Sequence, residues 1–278
     1  MVKILTSISP QKLVSKLSLL LPFSLFFIPN ATAYTSVHLE MGNPSGAISS
    51  TSNTTNYLMV KTQYALSYNN SRRGANWVSW QLNRFWLGDA PRQNDFRPDS
   101  TLPSGWYPVS SSDYTGSGYD RGHMTASADR TDTITNNSAT FLMTNILPQA
   151  PDNNQGYWAE LENYTRSLVI NQGKELYIIS GGYGQKGTIA SGNIAIPSRL
   201  FKIIVITTPG TGAGGVTSST RVIAIDTPNS NGNRDASWGN YRTSVDTIEA
   251  KTGYDFLSNV NSSVQSTIES RVDGGSTQ

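Results

Sequence analysis

The chain has 278 residues, a formal net charge of +2, 14% charged side chains, two histidines and no cysteine. The absence of cysteine excludes a thiol nucleophile, thiolate zinc sites and disulfides, and two histidines are too few for a multi-histidine zinc centre. A chain without disulfides depends on core burial, which this length supports.

The first 33 residues have the order of a secretory signal peptide. Lysines precede an apolar run over residues 17–28, and Ala31-Thr32-Ala33 resembles a cleavage site. The run is shorter than the roughly 20 residues that span a bilayer, although a buried helix or a retained anchor is an alternative. We predict a signal peptide over 1–33, one domain over 34–278 and a secreted or periplasmic protein without stable membrane association after cleavage. Cleavage removes three lysines and leaves 18 basic and 19 acidic residues, so bulk charge supplies little attraction for phosphate.

After a polar lead-in, short apolar runs predict strands. In chain order these runs cover 57–60, 64–68, 77–82, 140–145, 176–180, 200–206 and 222–225. Polar stretches over 84–118 and 208–220 predict loops, and a loop as long as the first is usually functional or disordered.

Three segments predict helices. Apolar residues recur at helical spacing over 154–169, with Asn153 as N-cap and Gly173 after the end. Shorter helices are predicted over 244–252 and 262–272. Strands that precede and follow a few helices without regular alternation favour an α+β fold.

His123 is the strongest candidate for catalysis. It follows Asp120-Arg121-Gly122 in a Gly-rich stretch, and histidine is the side chain best suited to act as a base near neutral pH. The alternative is a loop histidine satisfied by hydrogen bonds, which is our interpretation of His38. Asp120 and Asp129 are interpreted as ion-pair partners or loop caps.

Asn154 and Glu162 are candidates for a metal site. A carboxamide oxygen suits magnesium, which keeps most of its waters, although an Asn near a helix start is more often a cap. Glu162 follows eight residues later, about 80° around a helix axis, so both side chains can border one cleft with Trp158 between them. Glu162 would then hold a water from outside the ligand shell; alternatively, it is a solvated glutamate paired with Arg166.

Three arginines, Arg92, Arg121 and Arg166, are candidates for phosphate contacts, since guanidinium groups match phosphate oxygens. Each by itself is more often an ordinary surface arginine. A base, a hard oxygen ligand, a carboxylate and arginines are together what phosphodiester cleavage with one metal ion requires.

Two sequence blocks resemble the DNA/RNA non-specific endonucleases of the ββα-metal class. The first is Asp120-Arg121-Gly122-His123, and the second is made of the positions Asn145, Pro148, Gln149, Asn154, Trp158, Leu161 and Glu162. The mature chain is similar in particular to the cyanobacterial sugar-non-specific nucleases of this family. Segments that contribute to this likeness are 76–80, 96–99 and 252–258. The catalytic positions show no departure from the family pattern.

The resemblance implies a mostly antiparallel central sheet with flanking helices and a ββα-metal motif. It also implies one role for each site residue: His123 as general base, Asn154 as the only protein ligand of one Mg²⁺ or Mn²⁺ ion, Glu162 to orient the waters of that ion, Arg92 to stabilise the transition state, Arg121 and Arg166 to bind phosphate, and Asn145 to orient His123. The implied partners are single- and double-stranded DNA and RNA, cut to 5′-phosphate products without sequence specificity. A dedicated inhibitor protein is a further possible partner.

Two other classes of function stay open at this stage. The many Asn, Tyr and Trp residues and the low charge also fit a non-catalytic secreted module that binds polymers. A glycoside hydrolase needs two carboxylates, for which the candidates are Asp113, Asp120, Glu160 and Glu162.

Overall fold

The computed structural model describes residues 36–278, and the predicted signal peptide lies outside them. The strands of the described part are β1 Tyr57–Val60, β2 Ala65–Asn69, β3 Gly74–Leu82, β4 Asp120–His123, β5 Ile146–Gln149, β6 Glu175–Tyr183, β7 Gly187–Ile189, β8 Ile194–Ile196, β9 Arg199–Thr207, β10 Val222–Pro228 and β11 Arg242–Thr243. The α-helices are α1 Ile134–Ala139, α2 Pro151–Gln155, α3 Tyr157–Gln172, α4 Val245–Thr252 and α5 Ser262–Glu269. Over residues 36–278, none of the helices has the length and apolarity needed to cross a membrane.

Seven strands form one sheet in the order β1-β2-β3-β6-β9-β10-β11. Every neighbouring pair is antiparallel. This sheet, with helices on its faces, confirms the predicted α+β class. The predicted strands that correspond to β1, β2, β3, β6, β9 and β10 are confirmed, and so are the two C-terminal helices.

The two faces of the sheet carry separate cores because strand side chains alternate in direction. On β9, Leu200 and Ile204 pack in one cluster with Trp158 and Leu168 of α3. Phe201 and its face-mates pack in the other cluster, which includes residues of α4 and α5. The helix α3 therefore covers one face, and the C-terminal helices cover the opposite one.

The short hairpin of β4 and β5 lies outside the large sheet and leads into α2 and α3. The predicted strand over 140–145 is wrong, because the chain forms a helical turn at Met143–Asn145 and the strand starts only at Ile146. The buried side chain of Asn145 bonds the backbone of Thr125 and Thr140. These bonds hold the backbone in a turn. The apolar residues Phe141 and Met143 are nevertheless buried, as they would be in a strand.

The predicted helix over 154–169 is two helices separated at Gly156. Asn153 is not the N-cap; it is buried inside α2, where Ala150 is the cap and Pro151 opens the helix. A Cβ at position 156 would lie 2.2 Å from the carbonyl oxygen of Arg234, so only glycine permits this approach. The predicted end of the helix at Gly173 is confirmed, with φ of 61°.

Candidate active site

The strand β4 places His123 at its end, opposite Ile146 of β5. Gly122 allows the tight packing beneath it, since a Cβ there would lie 2.1 Å from Oε1 of Gln149. The imidazole ring stands edge-on to Phe141, with 4.8 Å between ring centroids, and tilted against Phe96 at 5.4 Å. Aromatic packing therefore fixes the ring orientation.

The imidazole of His123 is neutral at physiological pH. Burial and then the positive charge of Arg92 lower its pKa to about 3. Its Nε2 is buried and has no hydrogen-bond partner among residues 36–278, so Nδ1 is the nitrogen left to face the cleft. A neutral ring with a free nitrogen is able to accept a proton.

Asn145 lies behind His123 and does not hydrogen-bond its ring. The carboxamide accepts from the backbone N–H of Thr125 at 2.9 Å and donates to two carbonyls, those of Thr125 and Thr140. The side chain is fully buried, and the backbone carbonyl of Asn145 also accepts from the Met124 N–H at 2.9 Å. Asn145 therefore reaches His123 only through the backbone of the two residues that follow it. The expected orienting contact is therefore indirect.

Asn154 lies in α2 and turns its carboxamide toward the hairpin. Its Nδ2 donates to Oδ2 of Asp120 at 2.8 Å, and Gln155 donates to the same oxygen at 2.7 Å. Once Nδ2 is held, the orientation of the amide is set and Oδ1 is left for a ligand. Asp120 is thus a positioning residue, although the sequence suggested only an ion pair or a cap.

Glu162 reaches the same region from α3. The break at Gly156 invalidates the argument from about 80° of helical rotation, but the tertiary fold still brings the two side chains together. The alternative interpretation, a solvated glutamate paired with Arg166, is wrong: Lys202 Nζ lies 3.2 Å from Glu162 Oε1, and Arg166 bonds Asp129 at 2.8 Å. Trp158 is 1% exposed and lies in the core, not between them.

Two of the three candidate arginines approach the cleft. Arg92 donates from Nε to Asn94 and from Nη1 to the hydroxyl of Ser127. Arg121 lies with its guanidinium carbon 4.7 Å from the Phe96 ring centroid. Both guanidinium groups are therefore oriented by neighbours that carry no charge, which leaves their charge available to an anion.

One cleft of about 180 Å³ is lined by the side chains that the sequence singled out. Its charged and polar members are Arg92, Arg121, His123, Ser127, Asn154 and Glu162. A wider region of about 530 Å³ continues from it past Tyr119. Arg166 is not among the residues that line either region.

The donor set fits a hard divalent cation. Asn154 Oδ1 and the carboxylate of Glu162 are oxygen donors, and the cleft has room for a hydrated ion. A separate group of carboxylates, Asp246, Glu249 and Glu269, has oxygens within 4.8 Å of one another. That group belongs to α4 and α5 on the opposite face of the sheet.

No site role was predicted for Asp120, Ser127 or Lys202, which contact Asn154, Arg92 and Glu162, respectively. Two of the three carried a signal in the sequence. Asp120 belongs to the Asp-Arg-Gly-His block, and Lys202 is a charge inside an otherwise apolar predicted strand. Nothing local distinguishes Ser127.

A two-stranded hairpin followed by a helix, with a histidine on the hairpin and an oxygen ligand beside the helix, defines the ββα-metal class of nucleases. A model of the DNA/RNA non-specific endonuclease family matches residues 41–263. The chain belongs to this family. It is therefore an endonuclease of DNA and RNA, and the family to which it belongs is one of metal-dependent nucleases.

Individual relatives agree with this assignment. A nuclease from Nostoc sp. is 56% identical over 86% of each chain. Mitochondrial endonuclease G of Homo sapiens is 30% identical and covers 73% of this chain and 70% of its own. A crystal structure of the EndoG/EndoGI complex is 22% identical, with a TM-score of 0.67 over 83% of this chain and 95% of the matched one, and supports the fold alone.

The family assignment overturns the two other classes of function. An endonuclease is not a non-catalytic binding module. Two of the four carboxylates proposed for glycoside hydrolysis are also engaged elsewhere, since Asp113 bonds Tyr107 and Glu160 accepts from the backbone of Trp238.

Proposed function

We propose that the protein is a secreted, Mg²⁺- or Mn²⁺-dependent endonuclease that cuts single- and double-stranded DNA and RNA to 5′-phosphate products. One observation carries this proposal: the neutral imidazole of His123 and the carboxamide of Asn154 line one cleft. A reaction held between two such groups needs contacts only with the phosphate backbone, and these carry no sequence information. Because DNA and RNA share this phosphate backbone, such contacts support activity on both.

His123 accepts the proton of the attacking water at Nδ1, since its other ring nitrogen, Nε2, is buried. Arg92 lies on the same cleft and offsets the negative charge that grows on the phosphate in the transition state. Asn154 Oδ1 would hold the divalent ion, which when bound supplies positive charge at the scissile phosphate. Glu162 accepts hydrogen bonds from water in the cleft.

The remaining site residues support these groups. Arg121 binds a phosphate beside the reacting one, at the point where the cleft opens toward Tyr119. Arg166 was expected to bind phosphate directly, but its guanidinium is engaged with Asp129, so we assign it an indirect role beneath Glu162. Asn145 holds the backbone that follows His123.

Digestion of matched substrates tests this function. The chain from residue 34 onward is incubated with supercoiled plasmid, single-stranded DNA and single-stranded RNA, with Mg²⁺, with Mn²⁺ or with EDTA. We expect cleavage of all three substrates with either ion and none with EDTA. Products should accept a 5′ label from polynucleotide kinase only after phosphatase treatment. Cleavage of DNA alone, or labelling without phosphatase, contradicts the proposed specificity or products.

Secretion and inhibition are separate parts of the proposal. The order of charges, apolar residues and small residues in 1–33 supports export, and N-terminal sequencing of protein from the periplasm and the medium should find Tyr34 first. The structure of EndoG in a complex that explains its inhibition supports a search for an inhibitor of this protein as well. Capture by the His123→Ala variant from the producing cell, followed by inhibition of the wild-type enzyme, tests that partner.

A further inference from the structure

The strand β9 contains a charged residue, Lys202, at a position where the alternation of the strand predicts a buried apolar side chain. Leu200 and Ile204 lie in the core beneath α3, and Lys202 points to the same face because strand side chains alternate. Its side chain is 1% exposed. A lysine is almost never fully buried unless it is paired.

The ammonium group of Lys202 has one ionic partner and two aromatic neighbours. Nζ lies 3.2 Å from Oε1 of Glu162, 4.1 Å from the Trp158 ring centroid and 5.9 Å from that of Trp80. Opposite it in the β-ladder, Ser180 has a buried hydroxyl without a partner in the described part of the chain. Glu162 is therefore the one acceptor to which the structure directs this charge.

Stability alone does not explain this pair. Burial lowers the pKa of Lys202, and the charges of Glu162 and Asp129 oppose that effect. Taking an ammonium out of water costs several kcal/mol, and an apolar pair of similar size is often as stable or more stable. The pair therefore has a purpose other than stability, and that purpose concerns Glu162, whose side chain is 17% exposed and reaches the cleft.

We propose that Lys202 is a positioning residue of the nuclease, which holds the Glu162 side chain in one rotamer at the wall of the cleft. The inference rests on the role proposed for Glu162. Lys202 pairs with Oε1 of Glu162, so Oε2 of Glu162 is the oxygen available to water in the cleft. The partner is anchored in a central strand of the sheet, which is more rigid than a surface side chain.

Other charges also face Glu162. Arg166 approaches from the same helix and Arg92 from the loop that contains it, and both interact electrostatically with Glu162. Arg166 is paired with Asp129 at 2.8 Å, and Arg92 hydrogen-bonds Asn94 and Ser127. Lys202 is the cation that contacts Glu162 directly.

A double-mutant cycle tests the proposal. Lys202→Met keeps the length and apolar stem, and we expect kcat to fall about 10- to 100-fold, as for loss of a group that orients a site residue, with KM little changed. In the Glu162→Gln background, Lys202→Met should lower kcat no further, because the carboxylate that it positions is gone. Lys251→Met is the matched control, since Lys251 pairs with the buried carboxylate of Asp226 on the other face, and its kcat should equal that of the wild type.

Thermal unfolding separates positioning from damage to the fold. Lys202→Met should unfold at a lower temperature than the wild type, and the double variant should regain much of this loss without regaining activity, since both buried partners are then neutral. An unchanged kcat in Lys202→Met, or losses that multiply in the double variant, would overturn the inference. If Glu162→Gln itself retains full activity, the role proposed for Glu162 is wrong, which is a different failure.

Discussion

The two histidines of this protein occupy similar environments and serve different purposes. Both are buried, and burial is the first cause that lowers each pKa, to about 4 for His38 and about 3 for His123. His38 uses both ring nitrogens, because Nε2 bonds the Thr62 carbonyl at 2.8 Å and Nδ1 accepts from the Gln81 N–H at 3.2 Å. His123 has no hydrogen bond at Nε2 and lines the cleft.

The same contrast separates two asparagines. Asn145 is buried and has both its oxygen and its nitrogen bonded to backbone. Asn154 has its nitrogen bonded to Asp120 and its oxygen at the cleft. Burial and a shifted pKa therefore do not by themselves mark a catalytic group here. A position on the lining of the cleft distinguishes His123 from His38 and Asn154 from Asn145.

Exchange of each histidine gives the largest expected difference. His123→Ala should lower kcat for plasmid cleavage by roughly 10²–10⁴-fold, the usual contribution of a general base. His38→Gln should leave kcat unchanged, since its ring contacts backbone outside the cleft. Initial rates at saturating metal measure both. Equal rates for wild type and His123→Ala would falsify the assignment of the base.

Acid unfolding should show what the two histidines share. The pKa of His38 is 6.5 in the unfolded chain and about 4 in the folded protein. Between these two values the unfolded chain binds a proton that the folded protein does not bind, so the free energy of unfolding falls as the pH falls from 6.5 to about 4. The loss amounts to about 3 kcal/mol for this group. In His38→Gln this part of the loss should be absent, as urea unfolding at pH 7 and pH 4.5 can measure.

His123→Gln provides the comparison for that experiment. The pKa of His123 is also lowered in the folded protein, so His123→Gln should lose less stability in acid than the wild type. The double variant His38→Gln/His123→Gln should lose the least. Parallel stability curves for wild type and His38→Gln would show that His38 binds its proton equally in both states.

The smallest expected effect concerns the orientation of Asn154. Asp120→Ala releases the carboxamide, and residues that orient a metal ligand usually contribute 10- to 100-fold in metal affinity or activity. The metal concentration for half-maximal activity should rise accordingly. Asp152→Ala is the control, because this carboxylate lies in the same helix and bonds the backbone of Gly232 instead. An equal shift in both variants would mean that damage to α2, not orientation of Asn154, is the cause.

Local sequence patterns predicted most regular elements and the membership of the site. The apolar runs at β6, β9 and β10 are rich in isoleucine and bounded by glycine, serine and threonine, so the strand signal needs no distant contact. The two sequence blocks likewise contain four of the side chains that line the cleft, those of Arg121, His123, Asn154 and Glu162. These signals are local because residue type and spacing carry them.

The errors occurred where a distant part of the chain acts on the backbone. The break at Gly156 depends on the approach of the Arg234 carbonyl, and the turn before Ile146 depends on bonds from Asn145 to Thr125. The wrong partner for Glu162 has the same origin, since Arg166 is four residues away in sequence whereas Lys202 comes from another strand.

The sequence by itself determined the fold class, most strands, the family and the candidate site residues, because propensity, spacing and motif are properties of neighbouring residues. Only the tertiary structure decided which atoms of those side chains are free. Within residues 36–278, it left Nε2 of His123 and the oxygen of Asn154 without protein partners, and it paired Lys202 with Glu162. Hydrogen bonds and ion pairs between distant segments make that choice, and their partners meet only when the sheet, the hairpin and α3 have packed together.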